Sequence, residues 1–283
     1  MMKNLFLFFS LVFMAVGCSS DKNDEVLIDD GKNAYERIAL KYMEGIDDES
    51  GKISSSWGWW KRVLGKDAAG AGVYLSNNTK NANWVGGLVS AAVASVSEMF
   101  SLQTANSYPF RDELLDKVAS LREVSNSSNH LDIYGFNHYV VVNEVLKDEG
   151  LASVDLVKLN EVVYDITFSE VSNLGLNPPF EKEAVLGFIN RLQVFENLGS
   201  DQFYETMYEF DNVEEANHFK MISNSYKGVF NADIPANQFA AYSIEIEHAV
   251  SKDAQLSQQT KDVLLFEMAT YRYGYKYYST LFE

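Results

Sequence analysis

The chain is 283 residues long, 47% hydrophobic, and carries a formal charge of −17 with one cysteine and four prolines. That length is enough to bury a sizeable core in one or two domains. The acidic balance argues against nucleic acid, whose backbone needs clustered Lys and Arg, and against electrostatic docking on anionic lipid; a lone cysteine leaves no intrachain disulfide.

The N-terminal segment reads as an export signal. Lys3 supplies a positive start, and Leu5 to Val16 form an apolar run of the length of a signal-peptide core, well short of the ~20 residues of a bilayer span. The run closes on Ala15-Val16-Gly17-Cys18. This segment resembles the lipobox of bacterial, Bacteroidota-type lipoproteins cut by signal peptidase II, with Ala15 where the pattern more often has Leu. The resemblance covers only this segment. It implies removal of residues 1–17, a diacylglycerol thioether on Cys18 and, usually, an acyl group of the palmitate kind on the new amino terminus. Several acyl chains on one residue make a stable anchor, whereas one chain binds only marginally. None of the usual helpers of a nucleophilic cysteine lies near Cys18, so lipid attachment is the better reading.

Residues 18–33 are polar and acidic (Ser19-Ser20-Asp21-Lys22-Asn23-Asp24-Glu25, then Asp29-Asp30-Gly31), a tether composition. Ser followed by acidic residues also resembles the surface-export signals of Bacteroidota lipoproteins. The expectation is a protein lipid-anchored in the outer membrane, exposed at the cell surface if that second resemblance holds.

From residue 34 to 283, helical spacing dominates. Ala34, Ile38, Ala39 and Tyr42 recur at three and four residues, and the polar stretch 47–56 reads as a loop. All four tryptophans fall between residues 57 and 84. Trp57, Trp59 and Trp60 open one segment, and Trp84 opens a nearly uncharged one in which Gly86, Ser90 and Ala94 recur every four residues, as do Gly87, Ala91 and Ser95. Small residues at that spacing let two helix backbones approach closely. The apolar run 84–96 is too short for a comfortable span. Residues 57–100 are therefore expected to form a tightly packed helical hairpin rather than a membrane insert.

Further helices are expected over 112–124, 135–146, 154–171, 181–198, 202–210, 213–230, 236–250 and 260–282. Pro178-Pro179 is the strongest break, so the domain is read as one body or as two lobes divided near 177–180. The expected fold is all-α, a multi-helix bundle or irregular helical array with the small-residue hairpin near its N-terminus. In the last helix, Leu264, Met268, Tyr271, Tyr275, Tyr278 and Phe282 make one core stripe, while Tyr273 and Tyr277 fall off it.

Motifs for chemistry are scarce. Glu215-x-x-His218 and Glu245-x-x-His248 have the spacing with which ferritin-like proteins hold two irons. Helix phase opposes a shared metal. Phe219, Ile222, Tyr226 and Val229 define one inner face, with Glu215 inside it and His218 at its edge. Phe239, Ser243, Ile246 and Val250 define the other, from which His248 points away. No zinc, nucleophile-elbow, phosphate-loop or dinucleotide motif is present in the sequence. No catalytic residue, metal or cofactor is nominated. Trp57, Trp59, Trp60 and His138 are the candidates for ligand or partner contact, each weighed against a core role. The functional expectation is a non-catalytic binding or interaction protein, held to the membrane by its lipid, with a protein or glycan partner and no nucleic acid. The alternatives are a membrane-active protein that inserts hairpin 57–100, and a hydrolase without a recognisable motif.

Overall fold

Capping chemistry sets several helix boundaries. The computed structural model describes residues 32–44, 57–77, 84–101, 114, 117–176, 182–194 and 200–281, and residues 34–283 form one compact unit. In chain order its described α-helices are α1 (Ala34–Met43), α2 (Trp57–Asn77), α3 (Trp84–Ser101), α4 (Asp132–Leu146), α5 (Leu156–Asn173), α6 (Lys182–Val194), α7 (Ser200–Met207), α8 (Val213–Asn231), α9 (Ala236–Lys252) and α10 (Gln258–Ser279). Two 3₁₀ helices, Lys117–Val124 and Glu149–Ser153, lie among them, and no strand occurs among the described residues. The fold is all-α. Cys18, the tether, the loop 47–56 and the boundary near 177–180 lie outside the described residues.

Asp155, Asn212 and Ser257 precede α5, α8 and α10. Their side chains accept hydrogen bonds from the amides of Val157, Glu215 and Thr260, satisfying donors that every helix start leaves without partners. Helix α5 stops through its C-terminal glycine. Gly175 has φ +74° and donates to Ser172 O, and Leu176 donates to Val171 O. Glycine takes that conformation without the steric penalty of a Cβ. The helix expected over 112–124 is corrected in part: 117–124 is 3₁₀. Val118, Leu121 and Val124 recur every three residues, the period at which a 3₁₀ helix lines up side chains on one face.

Helix α10 is the centre of the core. Every residue from Val263 to Ser279 is buried, and α2, α4, α8, α9 and the 3₁₀ helix 117–124 all pack against it. The expected stripe faces inward from Leu264 to Tyr278, as do the residues between, while Phe282 lies outside the described residues. Tyr273 and Tyr277 donate to Asp132 and Asn143, both on α4, which covers their side.

Helices α2 and α3 form the expected hairpin. A Cβ on Gly70 would lie 2.8 Å from Ala91 Cα, and one on Gly87 would lie 2.7 Å from a ring carbon of Phe266. No side chain fits at either position without movement. All residues from Gly86 to Ser97 are buried, with α4, α5 and α6 also packed on α3. No described helix is long and apolar enough to cross a membrane.

Candidate functional site

Two of the expected contact residues, Trp60 and His138, meet in one buried cluster. Asp67, on the inner face of α2, is fully buried; its carboxylate lies 3.0 Å from His138 Nε2 and accepts a 2.7 Å bond from Tyr139 Oη. A carboxylate there requires a hydrogen on His138 Nε2. Nδ1 has no hydrogen-bond partner among the described residues. Burial, and next the Asp67 charge, push the Tyr139 phenol far above its ordinary range, so it stays a donor. The Tyr139 ring packs on Tyr277 and Tyr278, and Trp60 stacks on Tyr278 at 4.3 Å. Gly274 makes this approach possible, since a Cβ there would fall 2.1 Å from Tyr139 Oη. Trp60 is 1% exposed and His138 0%. Neither offers a surface to a partner, and both belong to the core. The side chains of Trp57 and Trp59 lie outside what the structure describes.

Around the other side of α10 sits a larger ionic cluster that sequence reasoning missed. Arg272 Nε donates to Glu247 Oε1 at 2.9 Å, and Nη2 donates to Asp132 Oδ1 at 2.5 Å and Glu247 Oε2 at 3.2 Å. Nη1 donates to the carbonyl of Val124. Ser243 completes Glu247 Oε1, while the amides of Asn126 and Asn129 complete Oε2. Arg272 and Glu247 are both fully buried. Desolvated charges are tolerated only when paired and fully hydrogen-bonded, and this cluster meets that condition while tying α4, α9 and α10 to the loop after residue 124. The signal was present in the phase: Glu247 lies four residues after Ser243 on the inner stripe, and Arg272 four after Met268.

A third cluster surrounds Glu267 of α10. Its carboxylate occupies the space where Gly72 lacks a side chain, since a Cβ there would lie 1.7 Å from Oε1. Tyr208 Oη donates to it. Burial pushes the carboxyl up to about 7, against the opposing pull of the Tyr208 bond and the Lys227 charge. Lys227 itself donates to Tyr204 Oη at 2.6 Å.

The fourth cluster is at the rim. Asp253 Oδ2 accepts from Tyr35 Oη at 2.6 Å and lies 2.6 Å from His218 Nε2, joining α1, α8 and the end of α9. Burial alone would raise the Asp253 carboxyl; the bonds from Tyr35 and His218 outweigh it and hold the group below its ordinary range. The two Glu-x-x-His motifs behave as their phase predicts. Glu215 is buried and accepts from the Ser257 amide, His218 sits at the edge, and His248 is exposed. Glu245 bonds Lys41 and Tyr42 of α1. Among the described residues no group of three or more His, Cys, Asp or Glu is placed to hold a metal ion.

The chain matches no known family model, and neither a curated protein nor a solved structure matches it.

Proposed function

We propose that the chain is a lipoprotein of the outer membrane, anchored through Cys18, whose all-α body is a non-catalytic binding or interaction module. The observation that carries this reading is the placement of Cys18, at the close of a signal-length apolar run and at the head of a polar, acidic stretch. Non-catalytic character draws on the clusters above. The carboxylates of Asp67, Glu247 and Glu267 are buried and bonded to protein donors, so they serve the fold. The partner is a surface protein or glycan.

The test is Cys18→Ala in the native host, followed through fractionation and metabolic labelling with an alkyne fatty acid. The wild-type chain is expected to incorporate label and sediment with outer membranes, and the variant to lose both. Label that persists in Cys18→Ala rejects the anchor. Liposome leakage caused by the unanchored chain would instead favour insertion of residues 57–100, a reading that the burial of this hairpin weighs against.

A further inference from the structure

Glu267 is a buried carboxylate with no direct bond to a cation among the described residues. Arg272 gives Glu247 two direct bonds, whereas Glu267 receives its described bond from a neutral phenol, that of Tyr208. Tyr208 belongs to the short segment Tyr204–Phe210, in which buried and exposed residues alternate. Helix α7 is a short helix with Gln202, Glu205 and Thr206 exposed, and it is followed by non-helical residues 208–210. Several polar ties fix this segment to the body, among them bonds from α8, where Lys227 donates to Tyr204 Oη and Lys220 to Glu205 Oε1. The amide of Glu209 donates to Ser76 Oγ, which donates back to Glu209 O; Asn77 Nδ2 donates to Met207 O; and Tyr208 donates to Glu267. Beneath lie aromatic contacts of Tyr204, Tyr208 and Phe210 with Phe219 of α8.

We propose that Glu267 is a proton-operated latch: protonated, it holds the Tyr204–Phe210 segment closed over α10, and ionised, it releases that segment to water. The physical argument is differential solvation. A neutral carboxyl is tolerated in the closed pocket against the Gly72 backbone, while a carboxylate gains hydration once Tyr208 swings away. The groups facing it include the hydroxyls of Tyr208 and Tyr204 on the segment, the Lys227 ammonium on α8 and Tyr271 on its own helix, with Asp67 of α2 acting on Tyr271. The Lys227 charge moderates the effect and does not abolish it, since burial still raises the Glu267 carboxyl to about 7. Opening therefore grows with pH between the ordinary carboxylate range and neutrality, then levels off. The surface it uncovers is aromatic, centred on Phe219. The latch is independent of the lipid anchor.

Hydrogen exchange of the full chain in detergent, read by mass spectrometry and corrected for the chemical exchange rate, tests it. Protection of residues 202–212 is expected to fall roughly fifty- to a hundredfold from pH 5 to pH 8 while α9 stays protected. In Glu267→Gln the segment is expected to stay closed and insensitive to pH. A wild-type segment whose protection ignores pH, or tracks α9 at every pH, overturns the proposal, as does an unchanged pH profile in Glu267→Gln. Should that variant not fold, Tyr208→Phe decides: loss of the donor should increase opening at pH 8 and move its plateau to higher pH. A profile identical to the wild type rejects the latch.

Discussion

The α2–α3 hairpin and helix α10 are both buried, by opposite means. Asp67 apart, the hairpin buries uncharged residues, many of them small, and brings backbones together, so that Gly70 meets Ala91 with no room for a Cβ. Helix α10 buries Glu267, Arg272, Lys276 and a run of tyrosines, and the polar heads of Glu267, Arg272, Tyr273, Tyr275 and Tyr277 bond to other parts of the chain. One gains its stability from apolar area and dispersion between closely fitted surfaces. The other depends on complete pairing, where a single missing partner leaves a buried charge.

That contrast ranks the expected effects of change. Arg272→Ala leaves Glu247 and Asp132 without their cation and should cost about 3–5 kcal/mol, the usual penalty for breaking a buried pair; a denaturant titration showing less than 1 kcal/mol would mean that water enters the cluster. Next is the pH dependence of Glu267. Its carboxyl is raised to about 7 from 4.5, so the folded state binds the extra proton between those values. The contribution is complete below pH 4.5 and lost as pH rises to 7, a loss of about 3 kcal/mol. Melting curves across that range should slope accordingly in the wild type and flatten in Glu267→Gln. Smallest is Gly70→Ala, where a methyl group 2.8 Å from Ala91 Cα forces the hairpin apart at about 1–3 kcal/mol. A neutral result by calorimetry would show that α2 and α3 can slide.

The hairpin was legible in the sequence because its signal is local. Residues four apart on one helix announce a close approach whatever the partner. The two Glu-x-x-His motifs were legible for the same reason, since phase within each helix turns Glu215 of α8 inward and His248 of α9 outward. Helix α10 was half legible. Its apolar stripe pointed inward as expected, but Tyr273 and Tyr277 fall off it and owe their burial to α4, and Arg272 owes its pairing to α4, α9 and the 117–124 helix. The partners of Arg272 lie 25 and 140 residues away, and no periodicity within α10 encodes them. A charged side chain reads as solvent-facing until its counter-charge is placed, and that placement is a property of the assembled fold. Trp60 shows the converse: its core role was one of several open readings, and the stacking on Tyr278 that decides it joins residues at opposite ends of the domain.

Helix α10 also governs when the domain can form. The helices that surround it are made before it, and each leaves a face uncovered until residues 258–279 have been synthesised. Helix α1 waits as well, since its tyrosine and lysine contacts are to Asp253 and Glu245. The packing of α10 on α2 and α4, and of α1 on α8 and α9, thus joins early and late parts of the chain, the kind of contact that slows folding. Until α10 is made, the faces that it covers are exposed and depend on protection from aggregation.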